Sequence, residues 1–377
     1  MRRLDRLVAG LVVLAVVLFV VGLAAALLRG GGHAATPEAA AAPATDPADL
    51  AKRRLTIAWA GDTMLGSAAD PVPDDGAPLF TEVRPLLRGA TIAAANLEGV
   101  LTESAGSKCD GGDEPRENCF AFRGPPAGAR TLERAGIDLV NLANNHAWDY
   151  GATGQADTIA ALDAAGVAWT GTPGQVTVLK RHGVRVGFVG YAPYAWAPSL
   201  HDIPLAQGLV RYADTQADVV VALMHAGAEG RDATHTPVGT EISYGEDRGD
   251  TRAFAHALVD AGADLVLGSG PHVIRGLERY RGRLIAYSLG NFAGWHNFAS
   301  GGTYDLSALL TVRLNGRGEV LGGQWRSLRL HAPGIPAPDP SNESASLAVD
   351  VSREDFGAAA YPMTRRGALR ASADEQR

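Results

Sequence analysis

From about residue 54 to residue 332 the chain alternates short apolar runs with stretches of helical spacing. The apolar runs at 55–60, 91–95, 139–143, 184–190, 219–224, 265–268 and 284–288 have the length and composition of buried strands. Residues 127–135, 153–165 and 251–261 read as helices, each followed by a glycine (Gly136, Gly166, Gly262) and then a new apolar run, the pattern of a helix C-cap feeding a strand. Such alternation predicts an α/β domain with a largely parallel or mixed sheet flanked by helices. The turn pairs Arg281-Gly282 and Asn315-Gly316 add hairpins and a second sheet.

The two ends differ from this pattern. Residues 7–28 carry no charge, and a helix rising about 1.5 Å per residue over that run crosses the roughly 30 Å hydrocarbon layer. Arg2, Arg3 and Arg6 precede it, which keeps the N-terminus cytoplasmic and sends the rest of the chain outward. The expectation is a single-pass anchor over 1–29. The alternative is a cleaved signal peptide and a secreted protein, with small residues at 34–35 and 39–42 for a peptidase. Residues 30–53, rich in Ala, Pro and Gly, read as a flexible tether. The domain is expected over 54–332, followed by a largely irregular tail over 333–377 in which 347–361 is the one segment suited to dock.

Composition narrows the class. Of 377 residues, 46% are hydrophobic and 20% charged, enough for a large core and too apolar for wholesale disorder. A formal net charge of -7 supplies no basic stripe and argues against nucleic acid as a partner. The two cysteines, Cys109 and Cys119, bracket a Gly-, Asp- and Glu-rich loop. Export permits them to form a disulfide, and their spacing fits no zinc pattern.

Chemistry gathers where strands end. The run 55–60 leads into Gly61-Asp62, 91–95 into Asn96 and Glu98, 139–143 into Asn144-Asn145-His146, 219–224 into His225, and 265–268 into the loop holding His272. Singly these are weak signals: an Asp after a strand caps helices, Asn tolerates left-handed turns, and a histidine is often satisfied by backbone. Five strand ends bearing metal-ligand residue types are not predicted by turn chemistry. In open α/β sheets the carboxyl edge is where loops converge and ligands bind, and carboxylate, amide and imidazole suit a divalent metal.

The motifs GDTML at 61–65, NLEG at 96–99, NNHAWDYG at 144–151, MHAGAE at 224–229, GPHV at 270–273 and YSLGNF at 287–292 resemble, in order and spacing, the bacterial CapA-type capsule-synthesis proteins. That family is associated with poly-γ-glutamate capsule and is related to the calcineurin-like metallophosphoesterases. The resemblance covers about 55–330. It implies a four-layer α/β/β/α sandwich with a dinuclear centre between the sheets, loaded with one or two divalent ions such as Mn, Fe or Zn. By position, Asp62 resembles a ligand of the first metal, Glu98 the bridging carboxylate, Asn145 and His225 ligands of the second metal, and His272 the last imidazole of the set. His146 resembles the catalytic histidine that donates a proton to the leaving oxygen, with Asp149 orienting it. Two cations there polarise a phosphoryl or carbonyl group and activate a water for in-line attack.

Two positions depart from the wider superfamily: Met64 stands where a ligand histidine is expected, and Gly270 replaces the first histidine of the last motif. Each metal thereby loses a ligand. Glu229 either fills a vacancy or forms a salt bridge, and Asn291 either binds near the site or closes a tight turn. The aromatic loop 191–196 either walls the substrate or covers the core. The loop 234–250, with His235, Glu241, Tyr244 and Glu246, is a lid or a surface insertion. No Gly-x-Ser-x-Gly elbow or Walker loop is present. The expected function is a membrane-anchored, metal-dependent hydrolase of capsule production acting on a phosphoester or an anionic polymer. The alternative is a non-catalytic accessory protein that binds the polymer or a membrane-bound synthase.

Overall fold

Alternate side chains of strand Arg54–Met64 enter two different cores: Leu55, Ile57 and Trp59 one, Ala58 and Ala60 another, as the two-residue period of a strand requires. In this computed structural model, which describes residues 46–67, 69–110 and 119–371, the same division recurs across a second sheet. Val186, Phe188, Val221 and Leu223 share the cluster of Trp59, while Val189, Val220, Ala222 and Met224 face a third. The shared cluster therefore lies between two sheets. Trp59 joins them, its Nε1 donating to the Gly268 carbonyl at 3.0 Å.

The first sheet has nine strands. Its main path runs Ile335–Pro338, Val320–His331, Leu306–Asn315, Arg54–Met64, Ile92–Leu97, Leu139–Asn141 and Ala168–Thr170, with Asn291–Gly294 and Ala368–Leu369 pairing off that path. The six-stranded second sheet runs Leu277–Tyr280, Arg283–Ala286, Leu265–Ser269, Val219–His225, Val184–Tyr191 and Thr177–Arg181. Helices Gly128–Ala135 and Gly151–Ala165 bury Ala129, Leu132 and Leu162 on the outer face of the first sheet. Helices Ile203–Gln216 and Thr251–Asp260 bury Val210, Phe254 and Leu258 on the outer face of the second. The order of layers is helix, sheet, sheet, helix. Both expected hairpins are present, closing at Arg281-Gly282 and at the turn that follows Asn315.

Strand Arg54–Met64 breaks register between Trp59 and Asp62. Gly61 permits this: its φ is +69° and a Cβ would lie 2.6 Å from the Gly290 carbonyl, so only glycine lets the backbones approach this closely. The bulge carries the strand on through Asp62 rather than ending it before that residue. Likewise Asn96 lies inside strand Ile92–Leu97 and His225 is the last residue of its strand.

Three expectations are corrected at the ends. Within the expected tether, Pro47–Lys52 is a helix capped by the Asp46 carboxylate, which accepts from Ala48 N at 2.8 Å, and its Leu50 is buried. The tail is not largely irregular. Ile335–Pro338 extends the first sheet, and helix Glu343–Phe356 sends Ala345, Ala348 and Val349 into the shared core. The small residues that made this stretch look unstructured are what lets a helix approach the sheet edges closely, and Ser352 Oγ accepts from Leu277 N at 2.7 Å. Folded chain thus extends from Asp46 past residue 332. Cys109 and Cys119 form the expected disulfide, a bond that persists in oxidising compartments. The expected anchor over 1–29 lies outside the described residues; among those, no helix is long and apolar enough to cross a membrane.

Candidate metal centre

The carboxyl ends of five strands meet in one chamber. Asp62, Glu98 and His225 are each fully buried, and each offers a ligand atom within 4.8 Å of the others. Together they can hold a metal ion. His225 Nδ1 is 4.0 Å from Asp62 Oδ1 and its Nε2 is 3.8 Å from Glu98 Oε1. His272 spans the same two carboxylates, with Nδ1 3.2 Å from Asp62 Oδ2 and Nε2 3.5 Å from Glu98 Oε1. The His272 backbone is left-handed, φ 61°, which for a non-glycine residue costs on the order of 1–3 kcal/mol and is tolerated where the surroundings hold it. Asn291 Oδ1 lies 2.9 Å from His272 Nδ1.

A buried amide chain braces this set. Asn141 Nδ2 donates to Asn96 Oδ1 at 3.1 Å, and Asn96 Nδ2 donates to Asp62 Oδ1 at 2.8 Å while standing 3.2 Å from His225 Nδ1. Asn144 joins it, donating to Asn96 Oδ1 at 3.2 Å and to the Leu97 carbonyl at 2.9 Å. Asn141 was not singled out from sequence, although a polar residue within a short apolar strand is its signal.

The electrostatics fit a cation. Both oxygens of Glu98 and the Oδ1 of Asn145 are buried without a hydrogen-bond partner, and such atoms cost about 1–3 kcal/mol each, more for a charge. Burial, seconded by the charges of Asp62 and Glu229 and opposed by His272 and Arg248, pushes the Glu98 carboxyl well above the usual range. Asp62 goes the other way: burial would raise it, but the imidazoles of His272 and His225 and the Asn96 amide hold it low. Burial also pulls on His272, yet Glu98, Asp62 and Glu229 outweigh it and lift the imidazole to about 10. His225 falls well below its ordinary value through burial and the nearby Arg248.

Beside this chamber stands a dyad. His146 Nδ1 is 2.7 Å from Asp149 Oδ2, and that buried carboxylate also takes a hydrogen bond from Phe122 N at 2.6 Å and an ion pair from Lys108 Nζ at 2.7 Å. His146 itself lowers its proton affinity through burial, which outweighs Asp149. The ring of Phe122 packs on the imidazole with centroids 4.3 Å apart. His146, His272 and Asn291 line a cavity of about 630 Å³ whose rim includes Cys109, Cys119, Phe122 and Tyr244.

Glu229 is in an ion pair, its Oε1 2.7 Å from Arg248 Nη2, with Oε2 3.9 Å from His272 Nε2. The aromatic loop divides: Tyr191 is core, whereas Trp196 donates to the Asn144 carbonyl at 2.9 Å and stacks on Tyr194 at 5.1 Å beside a cavity that also reaches His146. His235 is away from the chamber, paired with Asp355 at 2.7 Å. Glu241 is buried against Arg275 at 2.6 Å and Thr251 Oγ1 at 2.9 Å, so it anchors its loop rather than lidding the site.

Comparison with known proteins decides the lineage. The family described as "Bacterial capsule synthesis protein PGA_cap" matches residues 56–294. The chain belongs to this family. Within it, the PGA biosynthesis protein CapA of Bacillus subtilis (strain 168) is 30% identical over 264 residues, covering 64% of this chain and 64% of that protein. A probable polyglutamine synthesis accessory protein of Mycobacterium tuberculosis (strain ATCC 25618 / H37Rv) is 30% identical over 287 residues, covering 63% and 73%. The PGA_cap chain thus spans under two thirds of the length of the Bacillus relative. Among solved structures, a 5'-nucleotidase precursor from Thermus thermophilus superposes with a TM-score of 0.41 at 13% identity, covering 80% of this chain and 59% of that one.

Proposed function

We propose that this PGA_cap protein is a metal-dependent hydrolase that acts outside the cytoplasmic membrane on an anionic substrate during the making of a poly-γ-glutamate or related capsule polymer. The observation that carries the reading is the pairing of unsatisfied buried ligands, the Glu98 carboxylate and Asn145 Oδ1, with the neighbouring His146–Asp149 dyad. A cation satisfies the first. The second has no use in ligation and every use in proton transfer.

Asp62 and Glu98 would hold the ion with the imidazoles of His225 and His272, and the ion supplies Lewis-acid polarisation of a phosphoryl or carbonyl oxygen. Asn96 and Asn291 orient the imidazoles. Asp149 takes the Nδ1 proton of His146 in a hydrogen bond, so the neutral imidazole keeps Nε2 as its free nitrogen. An incoming anion raises the proton affinity of His146, which takes a proton from solvent at Nε2 and gives it to the leaving oxygen. A net acidic protein holds an anionic ester or a carboxylate-rich polymer through that cation. An N-terminal membrane anchor over 1–29 would keep the domain outside the cytoplasmic membrane, the side on which a membrane-bound synthase would deliver polymer.

The test is hydrolysis of a chromogenic phosphodiester and of poly-γ-glutamate by purified protein, with Mn²⁺ and with chelator, alongside His146→Ala. Metal-dependent turnover of one substrate, lost in the variant, is expected. Turnover unchanged in His146→Ala overturns the reading. A second reading, a non-catalytic accessory protein that binds polymer or synthase, draws on Met64 and Gly270 at two expected ligand positions, and predicts polymer binding without turnover.

A further inference from the structure

Arg248 is nearly inaccessible, at 1% exposure, and lies in the chamber itself. The loop around it is fixed by backbone: Arg248 N donates to the Glu241 carbonyl at 2.8 Å, and Gly227 N, two residues beyond His225, donates to the Arg248 carbonyl at 3.0 Å. The guanidinium pairs with Glu229 Oε1 at 2.7 Å and Glu246 Oε2 at 3.4 Å, and lies 6.0 Å from the centroid of the Tyr194 ring. Its Nη2 is 3.4 Å from His225 Nε2.

That last contact has a chemical consequence. A guanidinium has N–H donors only and keeps its charge, so a fixed cation already stands in front of His225 Nε2. His225 Nε2 is also the nitrogen a second metal ion would need, because it is the one turned toward Glu98. With Arg248 in front of Nε2, His225 has only Nδ1, 4.0 Å from Asp62 Oδ1, to offer the ion held with Asp62 and Glu98.

An independent feature agrees. The ligand missing from the second metal's set is at Gly270, and the backbone there leaves no room for one. A Cβ at Gly270 would stand 3.2 Å from His225 Nε2 and Cδ2 and 3.1 Å from Ala226 N, at φ +113°. Any side chain at this position meets the imidazole and a strained backbone at once.

We propose that the centre holds a single divalent ion and that Arg248 supplies the second positive charge. The ion is bound on the side of Asp62, Glu98 and His272, and the guanidinium takes the place of the second ion beside His225, Glu98 and Asn145. This rests on the metal-centre reading above and refines it. The division suits an anionic substrate: the ion polarises one oxygen, and a fixed planar cation receives another without a metal to load.

The experiment is metal stoichiometry. Full-length protein is stripped with chelator, dialysed against Mn²⁺ and analysed for bound metal per chain, in parallel with Arg248→Ala and Arg248→Lys. Native protein is expected to bind one ion per chain, and Arg248→Ala to take up a second as the space beside His225 Nε2, Glu98 and Asn145 opens to it. Arg248→Lys keeps a charge in place and is expected to stay at one, which also guards against misfolding of the alanine variant. Two ions in the native protein overturn the role given to Arg248 and leave the metal-centre reading intact. No bound ion overturns both.

Discussion

Replacing Glu98 by Gln should raise stability when metal is absent and abolish the stabilisation when it is present. In the ion-free chamber Glu98 is fully buried, neither oxygen accepts a hydrogen bond, and its nearest carboxylate neighbours, Asp62 and Glu229, repel it. Gln keeps one carbonyl acceptor, turns the other oxygen into a donor and removes the buried, unpaired charge, a relief of about 1–3 kcal/mol. The neighbouring His272 loses part of its counter-charge, which sets the gain at the lower end of that range. At roughly 2–4 °C per kcal/mol for a domain of about 200 residues, and less for a longer chain, the melting temperature of Glu98→Gln in chelator should exceed that of the native protein by roughly 1–3 °C. With Mn²⁺ at about 100 times its dissociation constant, the native protein gains about 2.7 kcal/mol by linkage, and the variant, with a carboxylate ligand gone, gains little. The order of stability therefore reverses. Differential scanning calorimetry of both proteins with and without metal reads the reversal directly. A variant less stable than native protein under both conditions, by similar amounts, would refute the view of Glu98 as a ligand held ready at the expense of stability.

Three more outcomes follow from the same contacts. Asp149→Asn leaves the carboxylate and imidazole ligands in place but removes the negative charge that balances a His146 imidazolium and leaves one oxygen for His146 Nδ1, Phe122 N and Lys108; turnover should fall by roughly 10²–10⁴-fold with bound metal unchanged, measured by single-substrate kinetics beside metal analysis. Cys109→Ser with Cys119→Ser opens a loop whose neighbours Lys108 and Phe122 both hold Asp149; loss of about 2–3 kcal/mol in a urea melt is expected for a loop of this size, with turnover reduced while metal stoichiometry holds. Glu241→Ala strands the buried Arg275 guanidinium and should cost about 3–5 kcal/mol. Glu241 is held below its ordinary value despite burial, because Arg275 and the Ala228 amide favour the carboxylate. Its contribution is therefore complete above about 4.5, the unperturbed value, and fades as pH falls through the lower folded value, so native and variant proteins should converge in acid denaturation.

Strand ends were the legible part of the fold and of the site. Val221, Leu223 and their neighbours are continuous apolar runs because the second sheet is buried on both faces, and the polar residue that ends each run is conspicuous. Asp62, Glu98, Asn145, His146, His225 and His272 stand out this way, and the fold brings Asp62, Glu98 and His225 within ligand distance of one another. The runs ended a residue or more early at Asp62 and Asn96, because a glycine bulge and a buried amide chain let polar side chains continue inside the sheet. Helix Ile203–Gln216 was missed although Asp202 caps it at Leu205 N, 3.0 Å, and Pro204 lies in its first turn. Its apolar stripe is interrupted by exposed Leu205 and Tyr212, which blurs the period. Helix Glu343–Phe356 buries mostly Ala, Ser and Val, so it has little hydrophobic contrast. Arg248 was invisible for a different reason: it sits in the charged run 246–250, and such runs are ordinarily solvated. Only the closure of that loop onto His225 makes it an internal cation.

The central claim is that Asp62 and Glu98, gathered with histidines from the facing sheet, form a cation site. Anomalous diffraction from crystals grown with Mn²⁺, recorded at energies bracketing the manganese edge, locates such an ion without assumptions about activity. Manganese is expected between the Asp62 and Glu98 carboxylates within coordination distance of an imidazole. An empty chamber, with ordered water on both Glu98 oxygens and the metal elsewhere or nowhere, would contradict it.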